Sequence, residues 1–365
     1  MFKPQRTVLL LLAALLLAFA ASCGGANAPS ASPTTDAGSS VSPSPSAADL
    51  SPSPTAAPKE IVTIKFSEVI RSIFYAPYYA AISRGYFEEE GLKLDMNTAQ
   101  GSDKGAAALI AGTADISLVG PETAIYIYNQ QGDKKLKVFY QLTMKDGSFL
   151  LSRDSVDAFD WHALAGKKII GWRPGSAPQM VMASTLKAQG TEGANVVTNI
   201  AAPAMAGAFA SGQGDYIQLF EPVASTLIAE GKAHYVASLG EAFGDFPETS
   251  FVATSDYIDK HPQIVQGFAN AVAKATRWLA SASDDEIATA LSPYFEGTPK
   301  ERIVESVRRY QKQDTWPASP VLTPSAFDKL QAVLIENGVL KAEDKIADMS
   351  TIVDMTFVER IGEAG

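Results

Sequence analysis

Apolar and polar positions along the chain form two runs with the same order of elements. In each run a short apolar stretch of strand character leads through a loop into a longer pattern with helical spacing, and a second strand-like stretch follows. Both helical patterns open with Ala-Pro, and proline is favoured in the first turn of a helix. The corresponding segments are 61–66 and 168–172 for the first strand, 76–89 and 177–189 for the helix, and 92–96 and 195–200 for the second strand.

A sequence repeat about 100 residues apart follows the two runs. Segments 108–122 and 208–222 each contain the end of a helical pattern, a glycine, and an aspartate that opens a short apolar strand. Gly112 and Gly212 stand where a helix commonly ends in a residue with positive φ. Strands that alternate with helices in this way predict parallel sheets, so the repeat indicates two similar α/β lobes. Ligands of such sheets bind beyond the carboxyl ends of the strands.

From about residue 247 onward the pattern becomes helical. Apolar residues at three- and four-residue spacing form a one-sided stripe over 261–282, and further helical patterns occupy 300–311 and 325–336. We interpret these segments as helices that pack on a lobe. The predicted division of the folded part is 59–150 for the first part of lobe 1, 151–250 for lobe 2, and 251–365 for the return to lobe 1 and a helical C-terminal region.

The first 58 residues predict an exported and tethered protein. Residues 1–22 combine Lys3 and Arg6 with an apolar run too short to span a membrane, which is typical of a secretory signal peptide. Segment 23–58 consists mainly of Ser, Pro, Ala and Thr. Such a composition cannot bury enough apolar surface to offset the loss of chain entropy, so we expect a disordered tether.

Residues 20–23, with the sequence Ala-Ala-Ser-Cys, resemble the lipobox of bacterial lipoprotein signals, although Ala20 stands where leucine is usual. The resemblance implies a lipid on Cys23 and an extracytoplasmic protein anchored to the cell membrane. Cys23 is the only cysteine of the chain, so it has no disulfide partner. The alternative is an ordinary signal that is cleaved nearby, with an incidental cysteine.

Composition and motifs narrow the class of function. Hydrophobic residues make up 46% of the chain, which is typical of a globular protein, and the formal net charge of −10 disfavours nucleic acid as a partner. His162, His234 and His261 lie far apart, and none has a second ligand-type residue at metal spacing. The sequence contains no phosphate-binding glycine loop, no Gly-x-Ser-x-Gly and no His-Glu-x-x-His. We therefore expect a binding protein without catalytic residues, cofactor or metal.

Four stretches carry a resemblance to a known family. They are 76–92, which includes Gly-Tyr-Phe and Glu-Gly-Leu, then 109–120, 164–170 and 212–222. On these stretches residues 59 to about 290 resemble the solute-binding proteins of ABC importers in the NMT1/THI5-like, SsuA/ThiY-like group. The resemblance implies a type II periplasmic-binding-protein-like fold, with two α/β lobes that close on a small molecule. It also implies delivery of that molecule to membrane permease and ATPase subunits, by a protein that we expect to be a monomer.

The loops that follow equivalent strands supply the candidate ligand-binding residues. Several loops run into helix N-termini, where free N–H groups favour an anion or a carbonyl oxygen. A hydroxyl group at such a position either donates to a ligand or caps the helix. A glutamate there either accepts a hydrogen bond from a ring amino group of the ligand or only interacts with the helix start. Aromatic rings stack on a planar ligand or pack lobe against lobe, and arginines bind an anion or are solvated. The candidates are Arg71, Ser72, Phe74, Tyr75, Ser102, Glu122, Thr123, Gln141, Trp172, Arg173, Ser176 and Glu221.

Two classes of ligand follow from these residues. Phe74, Tyr75 and Trp172 favour a planar heteroaromatic, such as a pyrimidine-type thiamine precursor, whose amino groups would bond to Glu122 and Glu221. The arginines and the helix N-termini favour a small anion, such as a sulfonate, taurine or nitrate.

Two other classes of function stay open. One is a ligand-binding sensory partner of a membrane receptor, which the sequence does not distinguish from an importer component. The other is a pyrimidine-synthesis enzyme, since some relatives make the thiamine pyrimidine and look to need cysteines and a reactive histidine near the cleft. Against the enzyme, the sole Cys23 lies in the predicted signal and no histidine falls on a predicted cleft loop.

Overall fold

A computed structural model describes residues 61–361 of the chain. The predicted signal peptide 1–22, the tether 23–58 and the lipidation site Cys23 lie outside the described residues and stay predictions. The strands, numbered in chain order, are β1 Val62–Glu68, β2 Leu92–Thr98, β3 Ile116–Val119, β4 Leu136–Thr143, β5 Ser148–Ser152, β6 Lys168–Ile170, β7 Asn195–Val197, β8 Tyr216–Phe220, β9 His234–Ser238 and β10 Thr249–Thr254.

Helices pack on the faces of these strands and form most of the C-terminal region. They are α1 Ala76–Ser83, α2 Tyr86–Glu89, α3 Ser102–Ala111, α4 Glu122–Asn129, α5 Ala177–Ala188, α6 Ala202–Ala210, α7 Val223–Ala229, α8 Leu239–Phe243, α9 Ser255–Lys260, α10 Pro262–Ser281, α11 Asp284–Leu291, α12 Lys300–Lys312, α13 Pro324–Glu336 and α14 Thr356–Glu359. Short 3-10 turns lie between some of them, including Ile73–Tyr75 directly before α1.

The strands form two five-stranded sheets, each in its own lobe. Lobe 1 has the order β2-β1-β3-β10-β4, and lobe 2 has the order β7-β6-β8-β5-β9. In both sheets the first three strands are parallel and a strand that arrives from the other lobe pairs antiparallel with the third. This confirms the predicted two-lobed α/β fold, in which the lobes repeat one topology.

The chain crosses between the lobes twice within the described residues. Residues 144–147 lead from β4 to β5, and residues 244–248 lead from α8 back to β10. The two crossing segments run together, since the backbone N–H of Phe246 donates to the carbonyl of Met144 over 2.7 Å. They form the hinge between the lobes.

The repeated Gly-x-x-Asp motif has the same structural role in each lobe. Gly112 and Gly212 end α3 and α6 with φ of 74° and 98°, values that favour glycine. Asp115 Oδ2 then accepts from the backbone N–H of Lys65, and Asp215 Oδ2 accepts from that of Lys168, each over 2.8 Å. Each aspartate thereby ties the residue before the third strand of its lobe to the first strand.

The C-terminal helices contact both lobes. α10 packs on α1 and α2 of lobe 1, and its buried face includes Val265, Phe268 and Val272. α12 reaches the hinge, where the Tyr310 hydroxyl donates to the carbonyl of Gly147 over 2.8 Å and accepts from the N–H of Glu221 over 3.1 Å. The helical extension predicted from the sequence therefore also ties the two lobes together.

Helix α8 packs directly on the first crossing segment through Gly240. A Cβ atom built at Gly240 would lie 2.2 Å from the carbonyl oxygen of Asp146, a backbone atom that has little freedom to move. We expect Gly240→Ala to lower the free energy of unfolding by about 1–3 kcal/mol, as other overpacked sites do. Thermal or urea unfolding would measure the loss.

Gly207 in α6 offers the matched control for Gly240. A Cβ atom there would meet nothing within 4 Å, and Ala favours a helix more than Gly. Gly207→Ala is therefore expected to leave stability unchanged or to raise it by up to about 1 kcal/mol. Equal effects of the two substitutions would contradict the close packing of α8 on the hinge.

Candidate ligand-binding site

A cavity of about 360 Å³ lies between the lobes, beyond the carboxyl ends of their parallel strands. Its wall is mostly apolar and receives residues from both lobes and from one crossing segment. The lining residues are Val69, Ile70, Tyr75, Gln100, Gly101, Ser102, Lys104, Trp172, Arg173, Ser176, Ala177, Pro178, Ile200, Ala201, Ala202, Pro203, Met205, Phe220, Glu248 and Thr249. This position is the one that the topology of parallel sheets predicts for a ligand.

Aromatic rings from both lobes line the cavity. Tyr75 comes from lobe 1, at the end of the 3-10 turn before α1, while Trp172 and Phe220 follow β6 and end β8 in lobe 2. The rings of Trp172 and Phe220 meet edge to face, with centroids 5.1 Å apart and planes at 80°. The indole Nε1 of Trp172 is buried and has no hydrogen-bond partner within residues 61–361. The cavity therefore presents flat apolar surfaces, and the unpaired N–H of Trp172 is buried in its wall.

Glu248, on the second crossing segment, is a carboxyl group in the cavity wall. Its side chain is buried and adjoins that of Asp146 on the first crossing segment. Burial, followed by the charges of Asp146 and Glu122, raises the pKa of Glu248 well above its ordinary value. Burial also raises the pKa of Asp146, although hydrogen bonds from Ser148 partly oppose the shift. The two carboxyl groups are adjacent and buried, so together they favour holding a proton.

The mouth of the cavity carries an ion pair between the lobes. The Arg173 guanidinium of lobe 2 lies 2.6 Å from Oδ1 of Asp103 in lobe 1, and it packs so closely on Gly101 that a Cβ atom there would overlap it. Nearby, the Tyr126 hydroxyl of lobe 1 donates to the carbonyl of Gly175 over 3.3 Å. These contacts hold the lobes together around the cavity. The carboxylate of Asp103 also balances the charge of Arg173.

Two serine hydroxyl groups on the cavity wall are bonded to the backbone. Ser102 Oγ accepts from the N–H of Gly120 over 3.1 Å, and Ser176 Oγ donates to the carbonyl of Arg173 over 2.7 Å. Ser102 is the first residue of α3 and Ser176 is the N-cap residue of α5, but neither side chain accepts a capping bond from its own helix. Together with Tyr75, Trp172 and Arg173, they are the sequence candidates that the structure brings to the cavity; their contact with a ligand stays a prediction.

Three candidates from the loop after β1 lie outside the cavity wall. Arg71 Nε pairs with Glu68 over 2.9 Å, and Ser72 Oγ donates to the carbonyl of Glu221 over 2.6 Å. Phe74 is fully buried, with its ring centroid 5.3 Å from that of Phe220. Their polar atoms or rings are thus engaged in contacts within lobe 1 and between the lobes.

The remaining candidates are buried beside the cavity but do not line it. Thr123 Oγ1 donates to the carbonyl of Gly120, and Gln141 Nε2 donates to that of Thr143. Glu221 accepts from the N–H and hydroxyl of Ser225 at the start of α7 and also pairs with Arg309. A ligand in the cavity would meet none of these bonded groups.

Glu122 is the candidate whose charge depends most on its surroundings. It is buried at the start of α4, and burial raises its pKa to about 7, against the opposing effects of its backbone N–H and of Arg173. Its Oε2 has no hydrogen-bond partner in the described part of the chain. The carboxyl group that meets the cavity is therefore Glu248, and the glutamates named from the sequence lie behind the wall.

Sequence reasoning missed Glu248, Phe220 and the apolar segment 200–205. Glu248 stands in Phe-Pro-Glu-Thr, where the chain re-enters lobe 1, and an acidic residue directly before a buried strand was the one available signal. The apolar segment lies in the loop after β7 and the start of α6. That loop corresponds to the loop of Ser102 in lobe 1, so the repeat could have identified it.

The histidines and the potential metal ligands of the described residues do not form a second site. Residues 61–361 contain no group of three or more His, Cys, Asp or Glu side chains that could hold a metal ion. His162 and His234 are exposed, and His261 lines a surface pocket beside Asp256. Over the same residues, no helix has the length and apolar character needed to cross a membrane.

Comparison with known proteins gives consistent matches. The model of the family described as NMT1/THI5 like matches residues 73–285. YtlA of Bacillus subtilis (strain 168), which is named as a candidate binding protein, is 40% identical over 283 residues, covering 77% of this chain and 85% of YtlA.

Solved structures share the fold at low sequence identity. The alkanesulfonate-binding protein SsuA from Xanthomonas axonopodis pv. citri, bound to MOPS, matches with a TM-score of 0.66 and 17% identity, covering 81% of this chain and 99% of SsuA. The periplasmic nitrate-binding protein NrtA from Synechocystis PCC 6803 also matches with a TM-score of 0.66 and 17% identity, covering 84% of this chain and 89% of NrtA. At these identities the likeness shows the fold alone.

Proposed function

This chain belongs to the NMT1/THI5-like family, and from that premise we propose that it is the extracytoplasmic solute-binding component of an ABC-type importer. Two lobes joined by a double crossing enclose one cavity, and such lobes close on a ligand by rotation about the crossing segments. Binding proteins named for sulfonate and nitrate have the same fold. Permease and ATPase subunits would be the partners of the closed form.

The proposed ligand is a small planar heteroaromatic of the aminopyrimidine type, such as a thiamine precursor. The observation that carries this proposal is the composition of the wall, where Trp172, Phe220 and Tyr75 present rings and Glu248 presents a buried carboxyl group. A flat ring would stack on the aromatic side chains, and its amino group would find an acceptor in Glu248. The apolar remainder of the wall suits a ligand with little other charge.

A small anion is the second candidate, favoured by Arg173 and Lys104 on the wall. Arg173 is engaged by Asp103 across the mouth, however, and its side chain is partly exposed. The carboxylate of Asp146, which adjoins Glu248 behind the wall, would repel an anion. Both observations support the heteroaromatic over the sulfonate, taurine or nitrate.

The other two classes of function have weaker support. An enzyme that makes the thiamine pyrimidine would be expected to use cysteine, and the only cysteine of the chain is Cys23. A sensory role remains compatible with the same cavity, and co-purification with a permease rather than with a receptor would separate the two. The mass of the mature N-terminus would decide whether Cys23 carries the proposed lipid anchor.

The ligand class is tested by thermal unfolding of the purified protein with a panel of compounds. We expect 4-amino-5-hydroxymethyl-2-methylpyrimidine to raise the unfolding temperature, while taurine, methanesulfonate, nitrate and bicarbonate leave it unchanged. A ligand present at 100 times its Kd stabilises by about 2.7 kcal/mol, which is easily detected. Stabilisation by the anions alone would overturn the heteroaromatic proposal and leave the importer role standing.

A further inference from the structure

We infer that this protein selects a positively charged heteroaromatic ligand, and that such a ligand binds by displacing a proton which Glu248 shares with Asp146 across the hinge. The inference deepens the proposed function and rests on it for the location of the ligand. The buried carboxyl pair would then determine which ligand charge the site prefers.

The carboxyl pair joins the two crossing segments. Asp146 lies on segment 144–147 and Glu248 on segment 244–248, and both side chains are buried. Their carboxyl groups adjoin each other, and no N–H or O–H of the described residues reaches Asp146 Oδ2 or Glu248 Oε2, so these two oxygens are left to share a proton. Two carboxylates have no proton to donate, so a hydrogen bond between them requires that one is protonated.

The surrounding hydrogen bonds identify Asp146 as the ionised member of the pair. Its Oδ1 accepts from the backbone N–H of Ser148 over 2.7 Å and also from the Ser148 hydroxyl. That hydroxyl in turn accepts from Nε2 of Gln218 over 2.8 Å, which directs its proton toward Asp146. Since donors to a carboxylate stabilise its charge, the shared proton belongs to Glu248.

Negative groups face Glu248 from neighbouring elements. Asp146 faces it from the first crossing segment and Glu122 from α4, and both carboxyl groups raise its pKa. Tyr75, at the start of α1, is itself influenced by the charge of Glu248. The cationic Arg173 on the cavity wall is paired with Asp103. These negative neighbours favour the protonated form of Glu248 until another positive charge reaches it.

Asp146 has its own titratable and charged neighbours. Tyr310 of α12 is influenced by the charge of Asp146, as is Tyr75. The adjacent Lys145 lies 3.9 Å from Asp245 on the second crossing segment. The pair carries a single negative charge because a carboxylate, Asp146, accepts a hydrogen bond from a carboxylic acid, Glu248. This arrangement is stable without a neighbouring cation.

A ligand cation can take the place of that proton. On binding, the Glu248 O–H bond breaks, the proton passes to solvent, and the carboxylate of Glu248 accepts a hydrogen bond from the amino group on the ligand ring. The charge of the site is conserved, since one cation enters and one proton leaves. An anionic ligand would show the opposite pH dependence, because it binds more tightly when Glu248 keeps its proton. The sign of the pH dependence therefore reports the charge of the ligand.

The test uses 4-amino-1-methylpyrimidinium, a fixed cation whose ring does not titrate. Calorimetric titration of the full-length protein near neutral pH, in two buffers of different ionisation enthalpy, counts the protons released. We expect release of about one proton per ligand, and an apparent Kd that falls as pH rises from about 5 to about 7, because the site must lose its proton to bind.

Two matched substitutions test whether the released proton comes from Glu248 or from another buried carboxyl group. Glu248→Gln keeps the size of the side chain but removes the acid, so proton release should vanish and affinity should fall about tenfold or more. Glu122→Gln removes another buried carboxyl group that does not line the cavity but whose charge raises the pKa of Glu248, so it should retain the proton release and shift it to lower pH. A Glu248→Gln protein that still releases a proton would overturn the inference.

The outcomes distinguish this inference from the proposed function. If neutral 4-amino-5-hydroxymethyl-2-methylpyrimidine binds but the fixed cation binds without proton release or fails to bind, the function stands and the inference is refuted. If neither pyrimidine binds and an anion binds with proton uptake, both fail. Failure of every compound to bind also counts against both, because the inference requires the cation to bind at this cavity.

Discussion

Trp172→Ala is expected to weaken binding of 4-amino-5-hydroxymethyl-2-methylpyrimidine by about a hundredfold. The indole lines the cavity, meets Phe220 edge to face, and carries an N–H group that lacks a partner in the described residues. Its removal takes away the largest stacking surface on the wall, which corresponds to about 2–3 kcal/mol of binding free energy. Calorimetric titration of the purified variant measures the effect.

Two control variants test whether the loss of affinity is specific to the ring of Trp172. Trp161→Ala removes the same type of ring from a half-buried site on lobe 2 where it packs on Phe159, and it should leave the affinity unchanged. Arg173→Ala removes the cation of an ion pair that is partly exposed and therefore contributes little, so we expect a small loss. If Arg173→Ala abolished binding and Trp172→Ala did not, the ligand would be an anion.

Phe74→Ala is expected to lower the free energy of unfolding by about 3–5 kcal/mol, the range typical of a large buried aromatic residue. The ring is fully buried at the hinge and lies 5.3 Å from Phe220 and 5.4 Å from Tyr310, measured between ring centroids. It also fills the space beside Gly147, where a Cβ atom would lie 2.3 Å from it. Urea unfolding should show a lower midpoint with an unchanged slope.

The half-buried Phe159 provides the comparison for Phe74. Phe159→Ala removes the same atoms from a partly solvated position, so we expect a loss of about 1 kcal/mol or less. The residual affinity of folded Phe74→Ala protein for the pyrimidine is the deciding observation. A variant that stays stable but no longer binds the pyrimidine would indicate that Phe74 contacts the ligand.

The architecture could be predicted because the repeated motif acts locally. Gly112 and Gly212 are required by positive φ, and Asp115 and Asp215 bond to the strand beside their own. Such requirements are met by a few residues close to one another in each lobe, so they leave the same pattern in the sequence twice. The number of crossings left no such pattern, because segments 144–147 and 244–248 are short and irregular.

The cavity could be located from the sequence but its wall could not. Phe74 and Tyr75 are neighbours on one 3-10 turn, yet Tyr75 lines the cavity and Phe74 packs into the hinge. The direction of each side chain on an irregular loop depends on what packs against it. For Phe74 the partners are Phe220 and Tyr310, which come from distant parts of the chain.

The sequence by itself determined the fold class, the two lobes and the loops that border the cleft, because periodicity and turn chemistry are local properties. Only the tertiary structure decided which groups face the ligand. It bonded Glu221 to Ser225 and Arg309, and it placed Asp146 and Glu248 side by side on the two crossing segments, far apart in sequence. The chemistry of that pair arises from burial and mutual contact, which exist only after both crossings have formed the hinge.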